Sequence, residues 1–125
     1  MRLIHPLLCL SLAVVTLSGC ATQHDCARSC EKLFGDKAEQ CNIQVPGHTG
    51  DQGRQDMISA CEDHCEQAMG QAGEVGDYDP NVRTSGNEDV FLENDAQAAL
   101  WMQCIDETAC DDLNSNYCAP TTNFP

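Results

Sequence analysis

Two pentapeptides, CARSC at Cys26–Cys30 and CEDHC at Cys61–Cys65, each set a pair of cysteines four residues apart. Thiols at that interval share one face of a helix, where they could hold a metal, act as a redox couple or close a covalent bridge. A third stretch, DYDPN at Asp77–Asn81, offers carboxylate, carboxylate and amide oxygens on alternate residues, with Glu88 further along. Oxygen ligands so arranged suit calcium. The rest of the chain decides among these chemistries.

Haem attachment requires histidine directly after the second cysteine of C-x-x-C; here His64 precedes Cys65 and Glu66 follows it. Thioredoxin-like exchange requires C-x-x-C at a helix start beside a βαβ pattern, and neither is visible. A metal centre from Cys26, Cys30, Cys61, Cys65, His24 and His64 meets two objections. An oxidising compartment draws thiols into disulfides, and His64 lies about 100° off the Cys61/Cys65 stripe, which predicts a solvated histidine. The Asp77, Asp79, Asn81 and Glu88 set matches positions one, three, five and twelve of an EF-hand loop. Position six of that loop should be glycine and is Val82, Pro80 stiffens the turn, and Gly73 and Gly76 oppose an incoming helix. An Asp/Pro/Asn turn accounts for it more simply, and the calcium or zinc reading is kept as the alternative. No Ser/His/Asp set, HExxH or phosphate loop is present, so no catalytic residues and no cofactor are expected.

The chain opens with Arg2 and an apolar run from Leu3 to Leu17 interrupted by Pro6, the anatomy of a secretory signal. The junction Leu17-Ser18-Gly19-Cys20 resembles the lipobox of bacterial lipoproteins. That resemblance implies a signal peptide at 1–19, lipidation of Cys20, and attachment to the membrane through its acyl chains. Ala21, in place of an aspartate that favours inner-membrane retention in enterobacterial members, implies the outer membrane. Residues 20–24 would then be a lipid-anchored linker.

What remains after position 19 carries five Lys and Arg against 20 Asp and Glu, within a whole-chain net charge of −14. Such a surface repels nucleic acid and anionic membrane, and no nucleic-acid partner is expected. Ile, Leu, Val and Phe together number 14 of those 106 residues, below the roughly 20% at which an acidic chain is expected to stay unfolded. Eight cysteines, Cys26, Cys30, Cys41, Cys61, Cys65, Cys104, Cys110 and Cys118, supply the missing cohesion as a disulfide framework.

The elements that carry them follow from spacing. Cys26, Cys30, Leu33 and Phe34 form one helical face ended by Gly35. Asp36 and Glu39 have an approximate capping-box interval. A second helix is predicted from Gln52 to Met69, with Asp51 as cap, Gly70 as stop, and Met57, Ile58, Cys61, Cys65 and Met69 on its apolar face. If the two helices pack antiparallel, Cys26 meets Cys65 and Cys30 meets Cys61. The arrangement resembles the doubly stapled hairpin of the α-hairpinins and other twin C-x3-C proteins, which implies a fold for residues 25–70 and no activity.

Residues 71–91 read as an acidic, irregular surface loop. A third helix is predicted from Asp95 to Asp106, capped by Asn94, with Trp101 at the centre of the core; Thr108 and Asp111 suggest a short helix through Leu113. Cys41, Cys104, Cys110 and Cys118 pair among themselves in one of three ways, with one bridge expected to tie the third helix to the hairpin. The expected fold is mainly α: a small disulfide-stapled helical hairpin plus one or two further helices, with a long irregular loop. One domain spans 25–118, and 119–125 form an irregular tail. The expected role is a non-enzymatic interaction or structural one in the cell envelope, toward an unidentified protein partner.

Overall fold

The computed structural model describes residues 24–85 and 88–125. The leader, the lipobox and Cys20 lie outside the described residues. Four helices follow in order, α1 (Cys26–Phe34), α2 (Gly50–Met69), α3 (Asp95–Glu107) and α4 (Cys110–Leu113). Among the described residues there is no strand, only two isolated bridges, Val45 with His48 and Arg83 with Tyr117.

α1 starts because the Asp25 carboxylate accepts the Arg28 amide at 2.6 Å. It buries Cys26, Ser29, Cys30, Leu33 and Phe34. Its end is held by Gly35, whose amide bonds the Glu31 carbonyl at 2.7 Å. A side chain at Gly35 would strike that carbonyl, since a Cβ there would lie 2.5 Å from it. The chain then doubles back along the end of α1, with the amides of Cys41 and Ile43 bonded to the carbonyls of Lys32 and Leu33. Asp36 and Glu39 do not open a helix. Glu39 sits at φ 71° in a turn, and the Gln40 side chain takes the Lys37 amide instead.

α2 begins two residues earlier than the sequence suggests. Thr49 occupies the cap position without a side-chain bond, and Asp51 lies inside the first turn, where its carboxylate pairs with Arg54. Gly53 lets this first turn approach the backbone of His48, where a Cβ would collide with the carbonyl carbon. α1 and α2 run antiparallel, and α3 packs against both. Asn94 caps α3 by accepting the Gln97 amide at 3.0 Å. For α4, Ala109 rather than Thr108 takes the cap position.

The core collects Leu33, Phe34, Trp101, Ile105 and Leu113, all under 2% exposed, around the disulfide sulfurs. Trp101 also donates its indole N–H to the Pro120 carbonyl at 2.9 Å. Residues 119–125 have no regular structure, yet they belong to this core. Ala119, Pro120 and Thr121 are buried, and Phe124 stands edge-on to Phe34, His64 and Trp101. The packed domain therefore extends past residue 118, since the tail covers Trp101, Phe34 and His64.

Residues 71–85 and 88–91 have no regular secondary structure, and the first of these stretches is fastened at several points rather than standing free. Asn94 and Gln97 donate side-chain N–H groups to the carbonyls of Glu74 and Val75. Tyr78 donates its hydroxyl to the Ala119 carbonyl at 2.8 Å, and burial, with Asp79 beside it, raises the phenol's pKa. The Cys118 amide bonds the Pro80 carbonyl at 3.0 Å.

Candidate functional site

All eight cysteines among the described residues are oxidised. Cys26 bridges Cys65 and Cys30 bridges Cys61, with Cα separations of 5.7 and 5.8 Å that lie in the unstrained range. Each bridge joins one turn of α1 to the opposing turn of α2. Of the remaining four, Cys41 bridges Cys110 and Cys104 bridges Cys118. The first ties the α1–α2 connection to α4, and the second ties α3 to the residue just before the tail. No thiol is left among the described residues to act as nucleophile, redox couple or metal ligand.

Among the described residues, no three His, Cys, Asp or Glu side chains come together as metal ligands. The alternate oxygens of the DYDPN stretch do not converge. Asp79 turns back to accept the Asn81 amide at 2.8 Å, and the Asn81 side-chain oxygen lies 3.7 Å from the Cys104 sulfur. Glu88 lies 3.5 Å from the Ser85 hydroxyl, and Asp77 has no partner in common with it. The turn is an Asx turn with its carboxylates in solvent.

His64 departs from the sequence expectation. It is buried at 7% exposure instead of solvated. Its Nε2 accepts the amide of Leu92 at 2.9 Å, which fixes the neutral ring with the proton on Nδ1. Phe91 and Phe124 meet the ring edge-on at 6.1 and 5.9 Å between centroids. Burial lowers its pKa below 6.5. The 100° offset from the cysteine stripe places His64 on a second flank of α2, and residues 91–92 and the tail cover that flank. Glu62 is pushed the other way: partial burial raises its pKa, and the like charges of Glu31, Glu66, Asp63 and Asp25 add to the effect.

A shallow polar depression of about 370 Å³ lies where α1 meets α3, lined by His24, Arg28, Lys32 and Asp106 among others. Lys32 is committed there. Its ammonium donates to the carbonyls of Ile105, Asp106 and Thr108 at 2.6, 2.9 and 2.9 Å. A cation thus closes the negative end of α3 and ties it to α1. Burial lowers the lysine's pKa, against the attraction of Asp106. Lys32→Met is expected to destabilise the domain by about 2 kcal/mol by orphaning three carbonyls. Lys32→Arg is expected to recover little, because a planar guanidinium cannot reach three carbonyls in a tetrahedral fan. Thermal unfolding of the two variants at neutral pH measures both.

Comparison with protein-family models, curated proteins and solved structures finds no match to this chain. Its function has to be read from its own residues.

Proposed function

We propose that this chain is an exported, lipid-anchored cell-envelope protein whose disulfide-clamped acidic domain serves a non-enzymatic interaction or structural role. The observation that carries the reading is the complete oxidation of the eight cysteines among the described residues. Such a framework persists in a bacterial envelope and is rare in a reducing cytoplasm. The leader and Leu17-Ser18-Gly19-Cys20 supply the route there, with Cys20 as the lipidated residue and palmitate among its acyl chains. Several acyl chains on one residue would hold the domain at a bilayer, in this reading the outer membrane. An interaction role fits a scaffold in which, among the described residues, every cysteine is spent on a bridge and the one buried histidine on a backbone amide.

Metabolic labelling with an alkyne palmitate in a bacterial host tests the anchor. Wild type is expected to take up the label and sediment with membranes, and Cys20→Ala to lose both properties. Label retained by Cys20→Ala, or absent from wild type, removes the lipoprotein reading. Cross-linking in intact cells tests the role, and a discrete product with a second protein is the expected result. A domain that links to nothing argues against an interaction role.

A further inference from the structure

A groove of about 430 Å³ runs between the α1–α2 connection, α2, and the segments around Phe91 and Phe124. That volume lies within the range of about 300–1,000 Å³ typical of binding pockets, ample for one large side chain and its flanking backbone. Its lining is apolar where Val45, Met57, Phe91 and Phe124 meet. Phe91 is 48% exposed there, one of three large apolar side chains left in solvent among the described residues. Asp56 and Asp89 stand exposed on the rim. Neither is in an ion pair with another described residue.

Among the described residues no Lys or Arg lines the groove: Lys37 is exposed outside it, and the other four are engaged elsewhere. Arg54 pairs with Asp36 and Asp51, Arg28 with Asp106, and Arg83 with Asp112. Lys32 is held by the end of α3. His48 is the only lining residue able to carry positive charge. The two aromatic walls are also fixed in advance, since Phe91 and Phe124 both rest on the His64 ring, which is itself pinned by Leu92. Asp56 accepts the Gln52 side-chain amide at 2.8 Å and keeps its charge unneutralised. A preformed apolar slot with two carboxylates outside any ion pair at its mouth complements an apolar side chain flanked by positive charge.

We propose that this groove docks an extended basic peptide segment of a partner protein, which inserts one large apolar side chain between Phe91 and Phe124 while its flanking Lys or Arg residues meet Asp56 and Asp89. The proposal rests on the interaction reading above and gives it a surface and a partner class. The net charge of −14 favours encounter with such a segment and disfavours anionic lipid.

Fluorescence anisotropy with the full chain in a mild non-ionic detergent tests it, using three labelled peptides: Lys-Lys-Phe-Lys-Lys, Lys-Lys-Gly-Lys-Lys and Glu-Glu-Phe-Glu-Glu. The first is expected to bind at least about tenfold tighter than either other peptide, as required when the apolar anchor and the charges both contribute. Phe91→Ala is expected to lower that affinity about tenfold, and Asp56→Asn with Asp89→Asn severalfold. The double Asn variant removes no core contact and tests the rim even if Phe91→Ala folds poorly. Equal binding of the Phe and Gly peptides, indifference to both sets of variants, or no peptide binding would each overturn the groove. So would Phe91-dependent binding to phosphatidylglycerol vesicles without peptide binding, which would make the face a membrane contact. A cross-linked partner retained by Phe91→Ala removes the groove and leaves the interaction role standing, whereas the absence of any partner removes both.

Discussion

Reduction of the four disulfides at neutral pH is expected to abolish most of the helical signal of this domain, without heat or denaturant. The apolar residues are too few for the core to hold the chain by itself. Small domains of this kind depend on covalent closure. The Cys41–Cys110 bridge spans 69 residues and the Cys26–Cys65 bridge 39. Taken alone, loops of those lengths correspond to about 4 kcal/mol each in the chain-entropy account. Once one bridge is closed the others close shorter effective loops, so the four together contribute less than the sum of their separate values. Even so, the loss is comparable to the whole stability of a typical domain, about 5–15 kcal/mol. Circular dichroism before and after a phosphine reductant reads the result, and a reduced chain that kept its helices would show that the core suffices.

Replacing His64 has the next largest expected effect. His64→Ala removes the surface on which Phe91 and Phe124 rest and leaves the Leu92 amide without its acceptor in a buried place. The packing loss and the orphaned donor together are expected to destabilise by about 2–4 kcal/mol. In a domain of this size that lowers the melting temperature by roughly 10 °C or more. His64→Gln can return an oxygen toward Leu92 and is expected to recover part of the loss.

The pH dependence separates the two roles of the ring. Nε2 must be unprotonated to accept the amide, and burial holds the folded pKa below 6.5. The unfolded chain therefore takes up the proton more readily, and this contribution is full above 6.5 and is lost as pH falls toward the lowered folded value. Glu66 of α2 and Glu93 beyond Leu92 line the adjoining depression, while residues 119–125 bring no ionisable side chain. Between pH 7.5 and 5.5 wild type is expected to lose more thermal stability than His64→Gln. Equal losses would show that His64 does not couple to folding.

The hairpin was legible in the sequence because a four-residue cysteine interval fixes both the secondary structure and the face. Two such intervals on antiparallel helices leave one unstrained pairing. The bounds of α3 and its cap at Asn94 were legible for a similar local reason. The pairing of Cys41, Cys104, Cys110 and Cys118 was not, since it depends on the path of residues 71–91 and on where the tail returns. The burial of His64 is hidden from the sequence for the same cause. A helical stripe tells which way a residue points from the first contact face, and here residues 91–92 and Phe124 arrive from far along the chain to cover a second face. The alternate oxygens at Asp77, Asp79 and Asn81 had the spacing of a calcium loop. With valine at position six, the turn closes on its own amide, and Asn81 faces a disulfide sulfur.

The central claim is that an exported domain is held by four specific bridges. Peptide mapping of protein isolated from the envelope, alkylated before any reductant is added, tests it most directly. The expected map links Cys26 to Cys65, Cys30 to Cys61, Cys41 to Cys110 and Cys104 to Cys118, with a gain of two hydrogens for each bridge on reduction. Alkylated free thiols at these eight positions in the native protein, or a different set of links, would contradict it.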